Sequence, residues 1–351
     1  MSRWDEVRAW RDRLRHADIV DACDDLSPQG LREALVSALE ALSDQALYGI
    51  AALSGRPYAR AVVITTGTVP TAALEWIALL LGRGSQVTWK HPAGRPGLAP
   101  LAQQLAGALP LQITSDRDCL EGAEVIVVMG SDETVRQVRA AAPKGALVHG
   151  HGHAWSCAWV TGQPLPPDRR VPAGFTSPWG RIAADAALFD GRGCLSPAVI
   201  FTPLPLERAL DPLAEAMQAA AERWPVGVVH PSEAALERQR RAHTRVVGTR
   251  RRGEGWALHG VSAAHVSPIA LPRSVAVVSV PSLDQAVECA GRWGRALSTV
   301  GTDDPSSAAA WFEIGATRVC ALGRMQRPPL DRVHDGVRWV HQTFRATATE
   351  L

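Results

Sequence analysis

Short apolar runs alternate with helical patterns along much of the chain, and this alternation constrains the fold more than any other feature. Strand-like runs lie at residues 61–65, 86–89 and 124–129, and helical spacing follows at 71–81, 98–105 and 133–141. A chain that forms strand and helix in turn at this pitch builds βαβ units on a parallel sheet. The alternation resumes between residues 206 and 322, so the sequence predicts an α/β fold with two lobes.

Length and proline content suggest where the lobes divide. The 351 residues exceed what a single core usually supports, and five prolines crowd into residues 164–178, as expected of a crossing between lobes. We therefore predict a helical lead-in over 1–54, a first α/β domain over 55–163, a second over 164–336 and a tail over 337–351.

Charge and hydropathy exclude several classes of protein. The formal net charge is +2 with no long block of one sign, which argues against nucleic acid as the main partner. The longest apolar stretch, 72–81, contains Glu75 and is far shorter than the roughly 20 residues of a membrane-spanning helix. The charged N-terminus lacks the apolar region of a secretory signal, and the six cysteines lack CxxC spacing. We expect a cytoplasmic protein with reduced thiols and a small substrate.

Two segments link a predicted strand to a predicted helix and are candidate cofactor contacts. The first contains Thr66, Gly67 and Thr68, and the second contains Gly130 and Ser131. Backbone N–H groups at such a turn are able to bind a phosphate or pyrophosphate at the start of the helix. The structural alternative is a tight turn followed by a helix cap, for which Ser131 is well suited.

A lysine ends the second strand-like run. Lys90 is one of only two lysines among 37 basic residues, the other being Lys144. At the carboxyl end of a parallel strand, Lys90 is placed to reach the ribose hydroxyls or the 2′-phosphate of a dinucleotide. The alternative is a surface lysine that closes the strand, a role in which arginine would serve equally well.

Three histidines alternate with glycines at His149, His151 and His153. In an extended segment they would share one face, as a transition-metal site requires. No carboxylate or cysteine at ligand spacing completes such a site, and the glycines favour a loop. We therefore predict no metal, and the other interpretation is that one histidine serves catalysis as acid, base or hydrogen-bond donor.

Cys194 has the most informative surroundings of the six cysteines. It follows Gly191, Arg192 and Gly193, so it lies on a bend where backbone N–H groups converge. Such a bend, with an arginine beside it, lowers a thiol pKa and supplies donors for an oxyanion. A buried cysteine acting as a small hydrophobic residue is the alternative, and the polar, turn-forming flanks disfavour it.

Five segments in this order resemble the aldehyde dehydrogenase superfamily, and more closely the LuxC-type acyl-CoA reductases. They read ITTGTVP, VTWK, GSDET, the histidine-glycine segment and DGRGCLSP. Near the C-terminus, GRMQRP and then HDG are also similar to the end of that family. The resemblance extends from about Arg60 to Gly336.

The resemblance implies an aldehyde dehydrogenase-like fold, with a Rossmann-like NAD(P)-binding domain at 55–163 and a catalytic domain at 164–336. It also implies that an acyl-CoA or acyl-carrier thioester is reduced to an aldehyde. Cys194 would attack the thioester carbonyl and form an acyl-enzyme, while Thr68 and the Cys194 backbone N–H would face the oxyanion. His149 stands nearest the place of the glutamate base of hydrolytic relatives.

The cofactor contacts implied by the resemblance are Thr66, Gly67, Lys90, Gly130 and Ser131. No acidic residue follows Lys90 closely, so nothing there would repel a 2′-phosphate, and Arg95 is available to pair with it. We therefore expect NADPH, with NADH as the alternative.

Two other functions stay open at this stage. One is a binding or scaffold protein that keeps the fold without catalysis, and the other is a metal-dependent enzyme built on His149, His151 and His153. The sequence leaves open the acyl chain length, the choice between coenzyme A and a carrier protein as donor, and the oligomeric state, including a homo-oligomer.

Overall fold

The computed structural model describes residues 2–19, 25–294 and 296–345. These residues form two compact units. Unit 1 comprises the described parts of 1–24, 34–153 and 329–351, and unit 2 comprises residues 25–33 and the described parts of 154–328.

Helices and strands alternate through most of the chain, with the bounds that follow. To residue 151 they are α1 (Arg3–His16), α2 (Pro28–Ala41), α3 (Asp44–Ala51), β1 (Arg56–Pro57), β2 (Arg60–Ile64), α4 (Leu74–Arg83), β3 (Gln86–Lys90), α5 (Ala99–Gln104), β4 (Leu111–Thr114), β5 (Val125–Met129), α6 (Asp132–Ala141) and β6 (Leu147–His151). To residue 321 they are β7 (Trp155–Trp159), α7 (Pro178–Ala187), β8 (Pro197–Thr202), α8 (Leu206–Arg223), α9 (Pro231–Val247), β9 (Gly248–Gly253), β10 (Trp256–Val261), β11 (Ser274–Ser279), α10 (Leu283–Gly291), β12 (Leu297–Thr302), α11 (Ala308–Glu313) and β13 (Arg318–Ala321). The last strands are β14 (Val333–His334), β15 (Val337–Arg338) and β16 (Phe344–Arg345).

Five parallel strands form the main sheet of unit 1, in the order β4-β3-β2-β5-β6. The chain starts in the middle with β2, adds β3 and β4 on one side, and then adds β5 and β6 on the other. The direction of growth therefore reverses between β2 and β5. In open parallel sheets, ligands bind outside the carboxyl ends of the strands at this reversal.

Apolar side chains explain why these elements form and pack. Helix α4 is buried along nearly its whole length, from Leu74 to Gly82. On α6 the buried residue is Val135, which joins a core cluster with Val62, Ile64, Ile126 and Val128 of the central strands. Burying such side chains is the main source of stability in a parallel sheet covered by helices.

Unit 2 contains a sheet of seven strands in the order β13-β12-β7-β8-β11-β10-β9. All neighbours are parallel except β9, an edge strand that pairs antiparallel with β10. Side chains along β7 and at the residue after it face opposite sides in turn: Cys157 and Trp159 join one core cluster, and Ala158 and Val160 join the other. The sheet is thus buried on both faces, as parallel sheets require.

The structure agrees with the predicted α/β class, and several segments differ from the sequence interpretation. Unit 2 contains residues 25–33 of the predicted lead-in, and its larger segment spans 154–328, whereas the second domain was predicted over 164–336. The segment starts before 164 because β7 lies in the middle of its sheet between β12 and β8. Part of the tail predicted at 337–351 forms β16, which pairs with β1 of unit 1. Residues 149–151, predicted as loop, belong to β6 because they hydrogen-bond to β5 in parallel register.

None of the described helices is both long enough and apolar enough to span a membrane.

Candidate active site

The two strand-to-helix turns of unit 1 lie side by side at the sheet reversal. Thr66 follows β2 and Gly130 follows β5. A Cβ added at Gly130 would lie 3.2 Å from Thr66 Cγ2 and 3.3 Å from Thr134 Cγ2, so a larger residue would require these side chains to move. The structure thus brings the predicted contacts Thr66, Gly67, Gly130 and Ser131 to one edge of the sheet, where a dinucleotide binds in folds of this topology.

Thr68 lies in the first of these turns with its hydroxyl close to that of Thr66. The two Oγ1 atoms are 3.0 Å apart, and both side chains are exposed. Gly67 between them has φ +82°, a left-handed conformation that glycine adopts without strain. The turn therefore presents two hydroxyls and open backbone at the carboxyl end of β2.

Ser131 and Lys90 take the local positions that the sequence predicts. The Ser131 hydroxyl accepts the Thr134 N–H at 3.1 Å and caps α6, so the structural explanation accounts for this side chain by itself. Lys90 ends β3 opposite Ile64, and its carbonyl accepts the Thr65 N–H at 3.1 Å. Lys90 therefore lies one strand away from the reversal.

His149 lies on β6 and stacks on Trp76, with ring centroids 6.2 Å apart. Burial lowers the pKa of His149 to about 4, and the neighbouring His151 acts in the same direction. The imidazole is therefore neutral at physiological pH, and its Nε2 is buried with no hydrogen-bond partner among the described residues. This state suits a proton acceptor or a neutral donor, but not a charged acid.

The three alternating histidines do not form a metal site together. Within the described ranges, the ligand atoms of His151, His334 and Asp335 lie near enough to share one ion. His149 and His153 do not belong to this group. His153 is exposed and lies beyond β6, where its N–H donates to Asp132 Oδ1 at 2.8 Å. The spacing of the histidines in the sequence therefore indicated His151 but not His334 or Asp335.

Cys194 is the exposed cysteine of unit 2. Of the five cysteines in the described ranges it alone is exposed, whereas Cys157 and Cys289 are buried and Cys119 and Cys320 are intermediate. Cys23 lies outside the described residues. Burial raises the pKa of the thiols of Cys119, Cys157, Cys289 and Cys320, that of Cys320 to about 11. These four thiols are therefore poor nucleophiles at neutral pH.

The backbone that leads to Cys194 passes through three consecutive left-handed residues, Phe189 (φ 58°), Asp190 (φ 53°) and Gly191 (φ 70°). A buried ion pair holds this bend, because the Arg273 guanidinium lies 2.7 Å from Asp190 Oδ1 and both side chains are almost fully buried. Left-handed conformations in non-glycine residues persist where the surroundings fix them, and they cluster at functional sites.

Arg192, the arginine beside the cysteine, has its charge balanced elsewhere. Its Nε donates to Glu233 Oε1 at 3.0 Å, and its Nη1 donates to the Asp25 carbonyl at 2.6 Å. The guanidinium therefore secures the loop to the start of α9. The sequence interpretation, in which this charge lowers the thiol pKa, overlooked these partners because they come from distant segments.

Ser156 contacts the Cys194 loop and is a residue that sequence reasoning missed. Its buried hydroxyl donates to the Cys194 carbonyl at 2.5 Å and accepts the Thr299 N–H at 3.1 Å. The loop is also held at Ser196, whose Oγ accepts from Gln326 Nε2 at 2.6 Å. No local signal reveals these contacts, since they join four separate segments of the chain.

Replacing Ser156 with alanine should misplace the cysteine. The change leaves the Thr299 N–H and the Cys194 carbonyl without this partner, which should lower the free energy of unfolding by about 1–3 kcal/mol. The rate of Cys194 alkylation and the kcat for a thioester substrate should each change by about 10- to 100-fold. Ser298→Ala, a buried serine on β12, is the control, and an equal effect there would contradict a role for Ser156 in positioning the cysteine.

Known proteins resemble this chain in both sequence and fold. The family model for acyl-CoA reductase (LuxC) matches residues 109–346, more than half of the chain. The chain belongs to the LuxC family of acyl-CoA reductases. The family is one of NAD(P)H-dependent oxidoreductases acting on acyl or aldehyde substrates, and the predicted membership is confirmed. A search of curated proteins finds no match.

Solved structures share the fold at low sequence identity. A lactaldehyde dehydrogenase superposes with a TM-score of 0.71 at 14% identity, over 98% of this chain and 85% of the other. An aldehyde dehydrogenase from Physcomitrella patens gives 0.70 at 13%, over 97% and 84%. An NADP-dependent glyceraldehyde-3-phosphate dehydrogenase from Bacillus halodurans gives 0.64 at 15%, over 91% and 77%. The predicted aldehyde dehydrogenase-like fold is therefore confirmed.

Proposed function

We propose that this protein is an NADPH-dependent acyl-thioester reductase in which Cys194 carries the acyl group. The observation that supports the proposal most directly is the state of this cysteine. Cys194 is exposed, while the other described thiols are wholly or partly buried, and it stands on a strained bend held by a buried ion pair. A cysteine that only filled space would need neither exposure nor such support.

The chemistry of Cys194 is a thioester exchange. Its thiolate Sγ attacks the carbonyl carbon of an acyl-CoA or acyl-carrier thioester, and collapse of the tetrahedral intermediate expels the donor thiolate, which takes up a proton. We assign oxyanion stabilisation to the Cys194 backbone N–H and the Thr68 hydroxyl. Cys194 is finally expelled as a thiolate when the aldehyde forms.

The turns of unit 1 fit a dinucleotide. Close packing of Gly130 against Thr66 leaves the carboxyl ends of β2 and β5 open to a pyrophosphate, and Lys90 ends the neighbouring strand. We assign cofactor binding to Thr66, Gly67, Lys90, Gly130 and Ser131. When bound, NADPH supplies the hydride that converts the acyl-enzyme to the aldehyde.

His149 favours reduction over hydrolysis in this proposal. Hydrolysis of an acyl-enzyme needs a base that activates water, and a carboxylate serves that purpose in the hydrolytic relatives that the sequence resembles. An imidazole whose pKa is lowered to about 4 by burial is a much weaker base than an ordinary histidine, and it lacks the negative charge of a carboxylate. We propose that His149 acts as a neutral catalytic residue and that the acyl-enzyme survives long enough to be reduced.

The proposal is tested in two steps with purified full-length protein. Without NADPH, one equivalent of CoA thiol should be released per chain, and mass spectrometry should find the acyl group on the peptide that contains Cys194. With NADPH, aldehyde formation and NADPH oxidation should match one to one across a panel of short to long acyl-CoAs. Failure to acylate Cys194 with any donor in the panel would favour a non-catalytic binding or scaffold protein.

Arg95 should contribute to the choice of cofactor. Its backbone lies beside the first turn, since a Cβ added at Gly67 would lie 3.6 Å from Arg95 Cβ, and its side chain is exposed. Pairing with the 2′-phosphate predicts that Arg95→Ala raises the KM for NADPH by about 10-fold and leaves that for NADH unchanged. Arg136→Ala, an exposed arginine on α6, is the control. An equal rise in the KM for NADPH and for NADH in Arg95→Ala would rule out a role of Arg95 in recognising the 2′-phosphate.

A further inference from the structure

Two histidines and one aspartate meet in unit 1 outside the residues assigned to catalysis. They are His151 at the end of β6, His334 on β14 and Asp335 in the turn that follows. One nitrogen of each histidine and one carboxylate oxygen all lie within 4.8 Å of one another. His151 Nδ1 is 2.6 Å and His334 Nε2 is 3.8 Å from Asp335 Oδ2. The two imidazoles stack with centroids 4.3 Å apart and planes 14° apart.

The backbone holds these three side chains in place. Asp335 and Gly336 are the two residues that join β14 to β15, with φ +50° and +82°, as the tightest hairpin turns require. The His151 carbonyl accepts the Gly130 N–H at 3.0 Å, which fixes the end of β6. A ligand set on a paired strand and a closed hairpin is more rigid than one on open loops.

The surroundings favour a cation over a simple surface ion pair. The His151 ring contacts Trp76 and its side chain is only 11% exposed, so water screens little of the charge at its Nδ1. Arg332, which precedes the hairpin, forms an ion pair with Glu75 at 2.8 Å, although its charge also acts on Asp335. The Asp335 carboxylate contacts the two histidines directly, and its side chain, about 37% exposed, leaves a path from solvent.

We propose that His151, His334 and Asp335 bind one Zn²⁺ ion. Two imidazoles and one carboxylate are a common ligand set for Zn²⁺, with water in the fourth position. Tetrahedral bonds of about 2.0–2.1 Å place ligand atoms about 3.3 Å apart, and the separations of 2.6 and 3.8 Å from Asp335 Oδ2 lie on either side of this value. Binding requires the two stacked rings to rotate until the lone pair of each points at the ion.

The ion would join the hairpin β14–β15 to the end of β6. Because these elements are more than 180 residues apart in sequence, the expected consequence is a stabilised unit 1 rather than a step in acyl transfer. None of the three ligands is assigned to acyl transfer, so loss of metal and loss of acylation are distinguishable.

The test is titration of the full-length protein with ZnCl₂ by calorimetry, in a Cys194→Ala background that removes the exposed thiol. We expect one Zn²⁺ per chain and a rise in Tm. Asp335→Asn should weaken binding by at least about 10-fold, and so should His334→Ala. Asparagine tolerates the left-handed turn, so Asp335→Asn keeps the hairpin while removing the charge. His153→Ala, the control, should bind Zn²⁺ as the parent does.

Cobalt provides an independent readout of the ligands. Co²⁺ bound at this site should give d–d bands without the charge-transfer band of a thiolate ligand, and His334→Ala should remove them. The proposal is overturned if no equivalent of Zn²⁺ binds, if Asp335→Asn and His334→Ala bind as the parent does, or if His153→Ala loses the ion.

Discussion

Cys194→Ala should lower the rate of NADPH oxidation with acyl-CoA by at least about 10³-fold, because without the thiolate no acyl-enzyme forms. The substitution removes one exposed sulfur and should leave the free energy of unfolding nearly unchanged, since surface changes of this kind cost little. NADPH binding, followed by quenching of tryptophan fluorescence, should be retained. The measurement is the steady-state rate at saturating cofactor, with urea unfolding of the same preparation.

Cys119→Ala is the matched control for this prediction. Cys119 is a partly buried thiol of unit 1 whose pKa is raised by burial, so its removal should change the rate by less than about 2-fold. Comparable turnover in Cys194→Ala and in the unaltered protein would refute covalent catalysis at this residue.

Asp190→Asn should be the most destabilising conservative substitution in unit 2. Asp190 Oδ1 accepts from Arg273 Nε at 2.8 Å, and Oδ2 accepts the Gly227 N–H at 2.9 Å. An amide loses the charge and places a donor against one of these partners, which leaves a buried arginine without compensation. Breaking a buried ion pair from one side costs about 3–5 kcal/mol, and we expect that loss in urea unfolding. Asparagine tolerates the left-handed backbone, so the effect isolates the charge.

An exposed ion pair supplies the control for Asp190. Asp211 lies 2.8 Å from Arg251, but its side chain is 60% exposed, so Asp211→Asn should cost less than about 1 kcal/mol. Cys194 alkylation should change in Asp190→Asn and not in Asp211→Asn, because only the former holds the bend before the cysteine. Equal unfolding free energies for the two variants would show that the buried pair contributes little.

Local periodicity was sufficient for the elements that bury a continuous apolar face. The strands β2, β3 and β5 and the helices α4 and α8 are visible in the sequence because each carries its own pattern. The short strands β7 and β8 were missed, since β7 reads WSCAW with no β-branched residue and β8 begins with proline directly after the glycine-rich bend. Their place in the sheet depends on partners at 274–279 and 297–302, which local sequence does not reveal.

The candidate site also combines features that local sequence reveals with contacts that it does not. Glycine and serine between strand and helix, a lysine at a strand end and a cysteine on a glycine-rich bend are local signals, and the sequence located each of them. The assembly of Ser156, Thr299 and Cys194 is not local, because it joins residues up to 143 positions apart. The same holds for His151 and Asp335, which are 184 positions apart.

The sequence by itself determined the α/β class and the family, and it predicted the candidate site residues, because these depend on composition, short-range spacing and motif order. Only the tertiary structure decided which of those groups are exposed, paired or brought together. In the fold, His149 is a buried neutral imidazole that stacks on Trp76, and Arg192 donates a hydrogen bond to Glu233. His151 lies close to His334 and Asp335 of a hairpin that is distant in sequence. The physical reason is that burial and long-range hydrogen bonds set the charge state of a side chain, and both depend on the whole fold.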